Sequence, residues 1–192
     1  MMVLILLIHF HTQLFQDICG MEAQIRSYPL IVTLEFDRGQ KVYFNELRRR
    51  YFPNHANHLE AHLTLFHHLP SHNGFVTETL AGFARRKAFA LRVSHLVNFG
   101  KGVAFHLESS ELDAMHQEMQ HTLHPFLKRQ DQKPLWPHIT VQNKVTAFKA
   151  QTTLELLQQD FESFYTKAIG FGVWYYIGGP WRPASFLPFG GI

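Results

Sequence analysis

From Tyr28 onward the alternation of apolar and polar positions divides the chain into short elements. Pro29 to Asp37 is an apolar, β-branched run closed by a polar turn, which predicts a strand. Arg38 to Phe52 changes to three-to-four spacing, with Val42, Phe44, Leu47 and Tyr51 set among charges and Pro53 as a stop, and predicts an amphipathic helix. Ala61 to Phe66 alternates with period two, a strand with His62, Thr64 and Phe66 on one face and Leu63 and Leu65 on the other. A polar turn at Ser71 to Gly74 leads to a predicted helix over residues 75–87 and a strand over Phe89 to Val93.

The order strand, helix, His-strand, helix, strand then repeats. Val103 to Leu107 is a predicted strand, and Ser110 is the N-cap candidate of a helix that runs to about Lys128, with Leu112, Met115, Met119, Leu123 and Phe126 on one face. Pro137 to Val141 alternates as Ala61 to Phe66 does, residues 147–163 form a helix, and Ala168 to Ile177 is a long apolar strand. Gly178-Gly179-Pro180-Trp181 reads as a turn before a last strand. His62 falls 33 residues after Pro29 and His138 falls 35 after Val103, so the halves are nearly in phase. Repeated units pair about a symmetry axis, an arrangement that can bring His62 and His138 to one groove.

Composition narrows the class. The chain has 192 residues, 46% hydrophobic and 17% charged, enough for one compact core and unlike a disordered protein. A formal charge of +3 gives mild attraction for polyanions. The single Cys19 excludes an intramolecular disulfide and a thiolate cluster, which suits a reducing compartment, and a cytoplasmic location is expected. The apolar run Met1 to Ile8 is far below the roughly 18 residues of a spanning helix and lacks the flanks of a signal peptide, so no membrane partner is expected. Residues 1–20 are read as an N-terminal extension or the product of an upstream start codon. Residues 21–192 are read as one bilobal domain with halves of about 28–100 and 101–177.

With fourteen histidines, a stray His-x-Thr triplet carries little weight. Here His62-Leu63-Thr64-Leu65 and His138-Ile139-Thr140-Val141 share an apolar residue after each His, another after each Thr, and equivalent places in two similar halves. With these motifs, and with the phrases Pro29 to Leu34, Leu47 to Pro53 and Ala61 to Phe66, the chain over residues 28–190 resembles the 2H phosphoesterases, within them the bacterial group similar to 2′-5′ RNA ligase. The resemblance implies an α+β fold of two pseudo-symmetric lobes, each an antiparallel β-sheet with outer helices, around a central cleft. It departs from members with a basic residue soon after the second motif: Val141 is followed by Gln142 and Asn143 before Lys144.

The residue types suit phosphodiester chemistry. A neutral and a protonated imidazole coexist near neutral pH, so His62 and His138 can serve as base and acid, in an order that depends on how substrate lies. Period two places each Thr on the face of its His, where Thr64 and Thr140 can donate to phosphate oxygens. The expected substrate is RNA ending in a 2′,3′-cyclic phosphate or holding a 2′-5′ linkage, with no cofactor, no metal and no obligate protein partner. Hydrolysis and reversible ligation stay open. Alternatives are a small cyclic phosphodiester such as ADP-ribose cyclic phosphate, an RNA-binding module without turnover, and a histidine-rich metal binder. Neither His55, His58 and His62 nor His116, His121 and His124 has ligand-like spacing. Arg48-Arg49-Arg50 reads as a solvated helix face. Trp136, Phe66 and Tyr176 read as core or cleft wall, with base stacking as the other option.

Overall fold

The computed structural model describes residues 28–190, so the expectation for residues 1–20 lies outside the described residues. The element order is β1 (Leu30–Phe36), α1 (Arg38–Tyr51), a 3-10 turn (Asn54–Ala56), β2 (Leu63–Leu69), α2 (Gly74–Ala84), β3 (Phe89–Asn98), β4 (Val103–Glu108), α3 (Ser110–Leu123), a second 3-10 turn (His124–Phe126), β5 (His138–Gln142), α4 (Ala147–Gln159), β6 (Phe164–Tyr175) and β7 (Arg182–Pro188). The fold is α+β, and its strands pair antiparallel throughout.

The helices begin where side chains can satisfy the free N–H groups of a first turn. Asp37 accepts from Gln40 N, Asn73 from Val76 N, Ser109 from Leu112 N and Thr146 from Lys149 N. The cap of α3 is thus Ser109, one residue before the expected Ser110. That helix closes at Leu123 because Pro125 follows, and a tight 3-10 turn replaces the expected continuation to Lys128.

All seven strands belong to one sheet, in the order β2-β1-β6-β3-β4-β5, with β7 also on β6. The order is palindromic in the repeat: β1 and β4, β2 and β5, and β3 and β6 are equivalent. Each half of the chain therefore lends its third strand to the other, with β6 completing the β1–β2 pair and β3 completing β4–β5. Exchange joins the halves through the β3–β6 pair, Phe89 opposite Ala168 and Val93 opposite Phe164. The terminal strands of the path, β2 and β5, nevertheless approach one another, as does α1 to β5, so the sheet curls until its two His-strands face each other.

The core fills the curl. Phe36, Phe44, Phe66, Phe105 and Phe171 are fully buried with a ring of Leu and Val side chains, each contributing about 1.5–3 kcal/mol by removal from water. Phe44 holds the two halves together by edge contacts to Phe36 on β1 and Phe105 on β4. Phe66 belongs to this core and not to the face of His62 and Thr64. The β1–β2 register slips between Leu30 and Val32 and again between Val32 and Thr33, which turns Phe66 inward beside Leu65.

Candidate active site

The alternation expected of the two motifs holds over four residues in each. Leu63 and Leu65, and Ile139 and Val141, are buried and pin the strands to the core, while His62, Thr64, His138 and Thr140 lie half-buried on the other face. His62 immediately precedes β2 and His138 opens β5. Their rings are held identically: His62 Nδ1 lies 2.6 Å from Glu60 O, and His138 Nδ1 lies 2.7 Å from Trp136 O. A carbonyl oxygen only accepts, so each Nδ1 carries the proton, and the neutral ring keeps its lone pair on Nε2. Each imidazole also rests on an indole, His138 stacked on Trp136 at 4.0 Å and His62 tilted on Trp181 at 4.8 Å between centroids.

Among the described residues, neither Nε2 and neither threonine hydroxyl has a hydrogen-bond partner. Half-buried polar groups left free are available to a ligand. His62 and Thr140, from opposite halves of the repeat, line one cavity of about 420 Å³ with Arg48 and Lys144. His138 is near enough for its charge to oppose protonation of His62. Thr64 sits on β2 opposite Thr33.

Sequence reasoning missed Arg48. Arg49 and Arg50 are exposed, as read, but Arg48 is only 4% exposed and points inward from α1. Its Nη1 donates to Thr140 O at 2.7 Å, its guanidinium lies 4.3 Å from the Phe52 ring centroid, and its buried Nε has no partner. No carboxylate pairs with it among the described residues. Arg48 stands four residues after the buried Phe44 and so on its face of the helix, while Arg49 and Arg50 turn about 100° and 200° further round; that periodicity was the available signal. Lys144 reaches the same cavity through a left-handed backbone (φ 59°), braced by Asn143 Oδ1 accepting from Lys144 N at 2.7 Å. The delay of the basic residue after the second motif is thus offset by a turn. Such a conformation costs about 1–3 kcal/mol and concentrates at functional sites.

Of the other histidines, His58 lines the cavity of His62 and Arg48, and His106 on β4 stands opposite His138. His116 is buried, bonded to Leu65 O at 3.1 Å through Nε2 and stacked on Phe66. Buried Asp131 accepts from the backbone N of His67 and of His68 and pairs with His67 Nδ1 at 2.9 Å, which pins the α3–β5 connection to β2. Among the described residues no group of three or more metal-ligating side chains is gathered.

Electrostatics separate the two imidazoles. Desolvation first, then the charges of Arg48, His138 and Lys41, push His62 down to about 4 against the bond to Glu60 O. Desolvation also lowers His138, as does the nearby charge of His106. Burial pushes Arg48 down only to about 10, so it is a cation at neutral pH. A histidine lowered in the native state binds its proton more readily when unfolded. His62 therefore leaves stability undiminished above the unfolded value of about 6.5 and lowers it as pH falls toward 4. Thermal unfolding followed from pH 7 to pH 4.5 should show a smaller fall in Tm for His62→Asn than for the unsubstituted protein; an identical fall would show that His62 is not the group that titrates.

Solved structures share this architecture. TT0787 of Thermus thermophilus superposes with a TM-score of 0.57 at 14% identity, over 85% of this chain and 98% of that one. Escherichia coli LigT complexed with NADP+ gives 0.53 at 15% identity over 85% and 98%, and LigT complexed with 3′-AMP gives 0.52 at 15% over 84% and 98%. At these identities the likeness is one of fold. No curated protein matches the sequence. The family model of the 2′-5′ RNA ligase superfamily matches residues 36–180, a span that contains both His-x-Thr motifs, and the chain accordingly belongs to that superfamily of 2H phosphoesterases.

Proposed function

We propose that this protein is a metal-independent phosphodiesterase of nucleotides, opening 2′,3′-cyclic phosphates or 2′-5′ linkages at RNA ends with His62 and His138 as the acid–base pair. The observation that carries this reading is the matched pair of imidazoles, each fixed through Nδ1 to a carbonyl two residues upstream with Nε2 free. Because His62 is the more strongly depressed, it is the neutral partner near pH 7 and takes the proton of the attacking water. Protonated His138 gives its Nε2 proton to the departing ribose oxygen, so that one P–O bond forms as another breaks. The Thr64 and Thr140 hydroxyls donate to non-bridging phosphate oxygens, and Arg48 and Lys144 balance the anion's charge. An incoming phosphate raises both histidines from their unliganded values, which brings His138 into its protonated form.

With a ribose 5′-hydroxyl in place of water as the nucleophile, the same forward step opens the cyclic phosphate into a 2′-5′ linkage, the 3′ oxygen leaving with the proton of His138, so ligation needs no further residue. LigT, which shares the fold, has been crystallised with 3′-AMP, ATP and NADP+, in keeping with a nucleotide ligand here. No helix among the described residues is long and apolar enough to cross a membrane; a cytoplasmic place beside RNA substrates goes with the single cysteine. The deciding experiment incubates the protein with an oligoribonucleotide ending in a 2′,3′-cyclic phosphate, with and without EDTA, and resolves the 2′- and 3′-phosphate products. Turnover to one isomer, unchanged by chelator, is expected. Binding without turnover, weakened by salt, would replace the enzyme by an RNA-binding module.

A further inference from the structure

His62 is a shared wall between two cavities of opposite character. On one side is the basic cavity of Arg48, Thr140 and Lys144. On the other is a smaller pocket of about 210 Å³ lined by Trp174, Trp181, Lys41, Glu35 and Glu60. Its size, below the roughly 300 Å³ at which whole-ligand clefts begin, suits one ring system.

Trp174 is fixed. Its Nε1 donates to Thr33 Oγ1 at 2.9 Å, and that hydroxyl donates to Glu35 Oε1 at 2.9 Å. Lys41 Nζ then bridges Glu35 at 2.5 Å and Glu60 at 3.3 Å. Gly172 makes the chain of bonds possible, since a Cβ there would stand 2.6 Å from both Thr33 Oγ1 and Glu35 Oε1. Trp181, carried on the β6–β7 connection, lies 6.3 Å from Trp174 between centroids and touches the His62 ring. Glu60 binds Lys41 through Oε2 only, which leaves Oε1 at the rim as an acceptor for a ring N–H or an amino group.

The geometry points to a nucleobase subsite lined by Trp174 and Trp181, holding the base of the nucleotide whose phosphate lies beyond His62. Resting on the phosphodiesterase reading above, it assigns the base to the His62 side and not to Trp136 on the His138 side. Aromatic walls take any base by stacking, and a rigid wall adds little ordering cost. A base here and a phosphate beside Arg48 would place the ribose oxygens over His62.

The test compares adenosine 2′,3′-cyclic phosphate with base-free methyl-riboside 2′,3′-cyclic phosphate, as the ratio of kcat/KM values, for the unsubstituted protein, Trp181→Ala, Trp181→Phe and Trp136→Ala. Trp181→Ala should reduce the ratio about 10-fold or more, chiefly through KM, and Trp181→Phe should restore most of it. An equal loss on both substrates, or a base-selective loss in Trp136→Ala, overturns the assignment. If neither compound turns over, the catalytic reading fails separately. The subsite is then judged by quenching of tryptophan fluorescence with adenosine: quenching that Trp181→Ala abolishes supports it, and no saturable quenching overturns it.

Discussion

Alanine in place of either histidine lowers kcat/KM on a nucleoside 2′,3′-cyclic phosphate by about 10² to 10⁴-fold, and the two variants then part on an activated substrate. With a nitrophenyl leaving group, which departs without a proton, His138→Ala recovers much of its loss and His62→Ala does not. The asymmetry follows from the proposed roles: the imidazole depressed to about 4 is the one held neutral and assigned as base, and its neighbour, lowered less, is assigned as proton donor. A pH–rate profile alone cannot assign these roles, because exchanging acid and base gives the same bell. Recovery in His62→Ala instead would exchange the roles, and near-unchanged rates in both variants on both substrates would remove the acid–base pair altogether.

Arg48→Met should lower kcat/KM by about 10² to 10³-fold while leaving thermal stability close to that of the unsubstituted protein. A buried guanidinium with one hydrogen bond, an orphaned Nε and no carboxylate adds little to the stability of the fold by itself. Its removal costs the bond to Thr140 O, about 1 kcal/mol, and relieves a desolvated charge of comparable or larger size. A phosphate in the neighbouring cavity would supply the missing counter-charge. Circular dichroism melts with and without inorganic phosphate provide the check: phosphate should raise Tm in the unsubstituted protein and have little effect on the variant. If Arg48 only braces β5 through Thr140, the melt drops by several degrees and activity per folded molecule is retained.

Most elements were legible because one face of each is apolar with the period of its own geometry. Arg38 to Tyr51 announces α1 by its spacing and by Pro53 beyond it, and the structure moves that helix's end by one residue. Strand lengths were harder. β3 continues to Asn98 and β6 begins at Phe164, beyond the runs read as strands, because residues such as His95, Asn98 and Tyr165 are kept in the ladder by partners across the sheet and not by their own apolar character. Phe66 was misplaced for a related reason: a bulge is set by how two strands fit, and one strand's alternation is silent about it.

The residues of the chain, read in order, settled the repeat, the alternation within each His-x-Thr motif and hence which side of each strand carries the polar groups, since these depend only on local periodicity and on the hydrophobic drive to bury Leu63, Leu65, Ile139 and Val141. Only the tertiary structure decided that β3 and β6 change places between the halves, that the edges of the sheet curl together, and that Arg48, Lys144 and Trp181 join the histidines. Those outcomes come from contacts between distant segments, such as the 92 positions that separate Arg48 from Thr140. Burial, register and charge at such separations are properties of the packed sheet.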